Sequence, residues 1–89
     1  MSYYLKMVGL ATGEASDLDG LYVKAYDPDF RWGRGEIVGT KDKDEALKFE
    51  TLQGALTEYR RTSKVRPLRP DGKPNRPLTA YTIEVVHDV

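Results

Sequence analysis

Three stretches of the chain alternate apolar and polar residues with the period of two that marks a half-buried strand. The first, YYLKMVGL over 3–10, sets Tyr3, Leu5 and Met7 on one face and Tyr4, Lys6 and Val8 on the other. The second, LYVKAYD over 21–27, sets Leu21, Val23 and Ala25 against Tyr22, Lys24 and Tyr26. Pro28 follows it and, lacking an N–H for the ladder, ends the strand or confines it to an edge. The third, LTAYTIEVVH over 78–87, opposes Tyr81, Ile83 and Val85 to Ala80, Thr82, Glu84 and Val86. A shorter segment, EIVGT over 36–40, reads as a strand returning along 21–27, so that PDFRWGRG becomes the long, arginine-tipped turn of an antiparallel hairpin.

Between 42 and 61 the apolar spacing lengthens to three and four, with Ala46, Phe49, Leu52, Leu56 and Tyr59 on one helical face. Asp42 followed by Glu45 resembles a capping box with Asp in place of Ser or Thr. Thr51 before Leu52 is a second start signal, so two arrangements fit: one kinked helix, or a short turn at 44–49 followed by a main helix at 52–61. Gly54 weakens either by ~1 kcal/mol relative to Ala, and Arg60 and Arg61 suit the negative end of the helix dipole. The element order is β-β-β-α-β in one domain, 1–89. It predicts an α+β fold: a four-stranded, mainly antiparallel sheet with one helix, kinked or split, packed on one face. Strand order stays open.

Charge changes this picture at one place. The 89 residues carry 14 Lys and Arg and 14 Asp and Glu, a formal net charge of zero. Yet the segment RRTSKVRPLRPDGKPNR, 60–76, holds seven of those cations against one acid, Asp71, a local charge of +6. Residues 1–59 are net −4 and 77–89 net −2. Four of the five prolines, Pro67, Pro70, Pro74 and Pro77, lie in or beside the basic segment, which therefore cannot be a regular helix. Pro70-Asp71-Gly72 predicts a type I turn within it. A connection of this length without regular structure, over 64–77, is a common carrier of function. On a bland reading it is structural, with Leu68, Pro67 and Pro70 covering the helix end or sheet edge and its arginines paired to the acids at 17–19, 27–29 or 42–45.

Catalytic chemistry finds little footing. There is no cysteine, which excludes thiol catalysis, disulfides and Cys-based zinc sites. The one histidine, His87, lies near a chain end, and Ser2, Ser16 and Ser63 sit outside any Gly-x-Ser-x-Gly elbow. The acid pairs Asp17/Asp19, Asp27/Asp29 and Asp42/Asp44 lack the offsets of a calcium loop and read better as turn and cap residues. Gly39-Thr40-Lys41 inverts the order a phosphate loop needs. We therefore expect no enzyme, no cofactor and no metal site. The N-terminus, MSYYLKMVGL, lacks the features of a signal peptide, and no apolar run approaches the ~18 residues of a membrane span, so the expectation is a cytoplasmic protein without membrane contact.

Binding is the chemistry with residues behind it. The turn supplies Phe30, Arg31, Trp32 and Arg34, aromatics interleaved with guanidiniums, and the basic segment supplies Arg60, Arg61, Lys64, Arg66, Arg69, Lys73 and Arg76. Trp and Arg dominate protein interfaces, and the same pair serves single-stranded nucleic acid by stacking and phosphate contact. A whole-chain pI of about 6.6 and the acids before residue 60 weigh against the nucleic-acid reading. Trp32, Arg34, Arg69, Lys73 and Arg76 are the candidate partner-binding residues, with a protein as the expected partner and single-stranded nucleic acid as the alternative. The oligomeric state is open.

Gly20-Leu21-Tyr22-Val23, the returning strand ending in Gly39-Thr40, the helical Ala46, Phe49 and Ala55, and the closing RPDGKPNRPLTAYTIEV together resemble small uncharacterised proteins encoded by bacteriophages and prophages, particularly those of actinobacteria. The resemblance covers most of the chain. It implies the cytoplasm of an infected bacterium and a non-enzymatic role in binding a host or phage component; an oligomeric phage structural or assembly component, with an exposed strand edge pairing between chains, is a separate alternative. It carries no functional residue with it.

Overall fold

A computed structural model describes residues 2–88. Its elements are β1 (Ser2–Leu10), β2 (Tyr22–Asp27), a short helical turn α1 (Phe30–Gly33), β3 (Glu36–Thr40), a 3-10 turn (Lys43–Glu45), α2 (Leu52–Tyr59), a second 3-10 turn (Pro77–Ala80) and β4 (Tyr81–Asp88). The four strands form one antiparallel sheet in the order β3-β2-β1-β4. The first strand is thus central, and the last strand joins it after the whole chain has passed over α2. The fold is the expected α+β sheet with one main helix.

The core is Leu5, Met7, Val23, Tyr26, Ala55 and Leu78, contributed by β1, β2, α2 and the turn before β4. β1 keeps its expected face, with Leu5 and Met7 fully buried and Tyr3 packed at the margin. β2 does not. A register shift between Val23 and Ala25 places Lys24 as an extra residue opposite β3, and the side-chain alternation changes phase there. Val23 and Tyr26 consequently share the core, and Ala25, expected beside Val23, is exposed. Tyr4, on the face opposite Leu5, is also buried. The Tyr22 ring meets it edge-on at 6.1 Å, and the Lys43 ammonium lies 5.5 Å from its ring centre.

The helical region takes the split arrangement. Asp42 caps the 3-10 turn by accepting from Asp44 N–H at 2.9 Å, and Thr51 caps α2 by accepting from Gly54 N–H at 3.0 Å. Ala46 and Phe49 lie between these elements and are not helical. The segment between them is pulled out of helix by the sheet: Leu47 N–H bonds Val23 O at 3.0 Å, and Phe49 exchanges both backbone bonds with Tyr3, at 2.8 and 3.0 Å. It fills the gap where β1 and β2, paired in register only at Lys6 and Tyr22, diverge. Two further expectations shift. Leu52, first in α2, is exposed, and the last helical residue is Tyr59, so that Arg60 is the C-cap, its N–H on Leu56 O at 3.1 Å, and Arg61 lies beyond it. Near the other end of the chain, His87 stacks on Tyr3 with centroids 4.4 Å apart and planes 6° from parallel.

Candidate functional site

The site starts from one carboxylate at the end of β2. Asp29 Oδ1 accepts hydrogen bonds from Ser63 Oγ–H at 3.0 Å, Lys64 N–H at 2.6 Å and Val65 N–H at 3.3 Å. Thus an acid of the 27–29 turn does meet the basic segment, but it holds backbone N–H groups rather than guanidiniums. The Lys64 N–H bond is the main reason the Asp29 carboxyl is held below the usual carboxylate range; the Ser63 hydroxyl and Val65 N–H act in the same direction. Ser63 is 1% exposed, and its Oγ also accepts from Arg66 N–H at 3.1 Å.

Asn75 closes the clamp from the other end of the segment. Its Nδ2 donates to Gly33 O at 2.7 Å and Arg66 O at 2.9 Å. Its backbone N–H bonds Pro67 O, and its carbonyl accepts from Ser63 N–H, each at 2.9 Å. One residue therefore ties α1, the start of the basic segment and its end together. Gly33 is required beneath it. Its φ is +89°, and a Cβ there would stand 2.7 Å from both Arg66 Cβ and Asn75 Nδ2.

Between these anchors the segment is a small hairpin. Leu68 and Pro74 are bridged, Arg69 N–H bonds Lys73 O at 2.8 Å, and Gly72 N–H bonds Arg69 O at 2.9 Å. The last of these is the hydrogen bond of the expected turn, and Gly72 follows it with φ +82°. Asp71 completes the tip, accepting from Lys73 N–H at 3.1 Å and pairing with Arg69 at 2.9 Å. Leu68, expected to cover the helix end, is 57% exposed. Below the hairpin, Tyr26 anchors both flanks: its hydroxyl donates to Arg61 O at 3.0 Å and accepts from Leu78 N–H at 3.3 Å. Burial raises the Tyr26 pKa, so the hydroxyl keeps the proton that this bond needs. Arg61 returns a bond to Tyr26 O and pairs with Glu58 at 3.2 Å.

In α1, Arg31 and Trp32 both lie in the left-handed region, at φ 48° and 58°. Left-handed backbone costs roughly 1–2 kcal/mol per non-glycine residue, and here it is held by Gly33 under Asn75. Trp32 is 78% exposed; it is not the packing anchor that the single Trp of a small domain commonly is. Arg31 lies over the Phe30 ring at 5.5 Å.

Two clefts flank Asn75. The smaller, about 200 Å³, is lined by Gly33, Arg66, Arg69, Pro70 and Asn75. The larger, about 410 Å³, is lined by Ala11, Arg69, Asn75, Arg76, Pro77, Thr79 and Ala80. Of the candidate residues, Arg69 and Arg76 line clefts, and Trp32 and Arg34 sit on either side of Gly33. Lys73, on the returning arm of the hairpin, lines neither. Asp29, Ser63 and Asn75, on which the arrangement depends, carry no sequence signal of that role: an Asp after a proline and an Asn in a basic loop read as turn residues. Among the described residues no group of His, Cys, Asp or Glu is placed to hold a metal ion, and no helix is long and apolar enough to cross a membrane. Comparisons with protein-family models, curated proteins and solved structures return no match.

Proposed function

We propose that this chain is a small, non-enzymatic binding module that acts by protein–protein contact through α1 and the 60–76 segment. The observation that carries this reading is Trp32. A large aromatic is left in solvent on a strained turn, and that turn is fixed by Gly33, Asn75 and, through Ser63, Asp29. An exposed Trp flanked by Arg31 and Arg34 has the composition of an interface hot spot, and the backbone that carries it, fixed by hydrogen bonds, loses little conformational entropy on docking. The resemblance to phage-encoded proteins adds a context, the cytoplasm of an infected bacterium, and a host or phage component as partner. The test is a pull-down from bacterial lysate with the chain and with Ala at Trp32, Arg34, Arg69, Lys73 and Arg76. Loss of a captured band in the variant is expected, and an unchanged profile would sink the surface assignment.

Single-stranded nucleic acid is the second reading, favoured by Phe30 and Trp32 both being exposed beside arginines without ion pairs among the described residues. It requires a mobility shift with oligonucleotides that weakens steeply with salt. A third, assembly through strand edges, draws on β3 and β4 each having one sheet neighbour. A monomeric mass in solution would count against it.

A further inference from the structure

Resting on the protein-contact reading, we propose that the two clefts flanking Asn75 form one binding site for an extended acidic peptide segment of the partner, with Arg66, Arg69 and Arg76 receiving its carboxylates. The two clefts share Arg69 and Asn75 in their linings, so a single extended chain crossing these two residues would reach both. Arg66 is projected from backbone fixed on both sides, its N–H on Ser63 Oγ and its C=O on Asn75 Nδ2. Among the described residues Arg76 spends only Nε, on Thr62 Oγ1 at 3.2 Å, which leaves its terminal nitrogens for a ligand. Arg69 has a partner in Asp71, but both side chains are about half exposed, and such a pair is weak enough for a ligand carboxylate to share or replace. Planar guanidiniums on a fixed frame match carboxylates with two parallel hydrogen bonds.

Asn75 favours a peptide over a nucleic-acid strand. Both Nδ2 donors go to carbonyls, which identifies the remaining atom as Oδ1, and this oxygen accepts no hydrogen bond among the described residues. Among the described residues no buried side-chain oxygen lacks a partner, so Oδ1 reaches solvent. An open acceptor between arginines suits a ligand that brings N–H donors as well as carboxylates. A peptide offers both along one extended chain, whereas in a nucleic-acid strand the phosphodiester oxygens only accept and the N–H donors lie on the bases. The net −4 of residues 1–59 also opposes a long polyanion, whereas a short segment meets Arg66, Arg69 and Arg76 at the clefts.

The test is an NMR titration of the isotope-labelled full chain with a capped synthetic peptide of alternating Glu and Ser, its Gln-for-Glu analogue, and oligothymidylate. The Glu peptide is expected to shift the Nε–H signals of Arg66, Arg69 and Arg76 and the Asn75 side-chain amide, and the Gln analogue to leave them in place. The double substitution Arg66→Ala and Arg76→Ala removes two charge-assisted pairs and should weaken the Glu peptide by at least about tenfold, the least that one such pair contributes, with core amide signals unmoved. Silence toward the Glu peptide, an equal response to the Gln analogue, or tighter binding of oligothymidylate at the same salt each overturns the proposal. A chain that loses its lysate partner on Trp32→Ala yet ignores the Glu peptide keeps the protein-contact reading and loses this one.

Discussion

The side chains of Leu5, Met7 and Val23 are held by packing alone, apolar groups with nothing to satisfy, whereas the 63–76 segment is held by Asp29, Ser63 and Asn75 through hydrogen bonds, with Leu68 left in solvent. The two regions meet at Tyr26 and Leu78, which belong to the core by burial and to the clamp by the bonds at the Tyr26 hydroxyl. The difference teaches why the basic segment can be ordered and still present its charges. Apolar anchoring of an arginine-rich loop would need its side chains to fold inward over a surface. Anchoring by backbone N–H and C=O groups fixes the chain and leaves the guanidiniums pointing to whatever arrives. Order in the two regions should therefore fail under different insults.

The largest effect belongs to the core. Leu5→Ala should cost about 2–5 kcal/mol, read as a lower urea midpoint with an unchanged slope, and should take the clamp down with the sheet. If the clamp region stays protected from hydrogen exchange while the core loosens, the dependence of one region on the other is wrong. Next comes Asn75→Ala, which removes the two side-chain bonds to Gly33 and Arg66. A loss of about 1–3 kcal/mol is expected. Hydrogen exchange should rise at Arg66 and in α1, while amides of β1 and β4 keep their relative protection.

A smaller and local effect is expected at Asp29. Its folded pKa is depressed, so the stability it contributes is fully present above the ordinary Asp value of ~3.9 and is lost as pH falls through the lower, folded value. The Lys64 and Val65 amides should therefore stay protected through mildly acidic pH and open below it, and Asp29→Asn should flatten that dependence. Opening near neutral pH would mean that another group holds the loop. The smallest effect on stability belongs to Trp32→Ala. The side chain is exposed, so the midpoint should move by no more than about 0.5 kcal/mol while partner capture is lost. A large destabilisation would make Trp32 structural and remove the main support for the proposed function.

Much of the fold was legible because local pattern and global structure agree. Residues 3–10, 36–40 and the second half of 78–87 alternate as strands and are strands, Thr51 starts α2, and Pro70-Asp71-Gly72 turns as its chemistry dictates. Legibility ended where backbone pairing between distant segments outvoted local preference. Phe49 has helical spacing with Leu52 and Leu56, yet its N–H and C=O are taken by Tyr3. Ala25 has strand spacing with Val23, yet the bulge at Lys24 turns it outward. At the site, charge segregation marked the basic segment, but nothing in one dimension tells an arginine loop stitched by an Asp, a Ser and an Asn from one that is loose.

The sequence by itself determined which segments can bury a face, where the helix begins, and that seven cations occupy one proline-bearing stretch, since these follow from side-chain periodicity, capping and composition. Only the tertiary structure decided that β1 is central, that Asp29 binds backbone rather than arginine, and that Gly33, next to Trp32, lies under Asn75 in the cleft that Arg66 and Arg69 line. Those outcomes depend on hydrogen bonds between residues more than thirty positions apart, formed once the sheet and α2 have brought their backbones within reach.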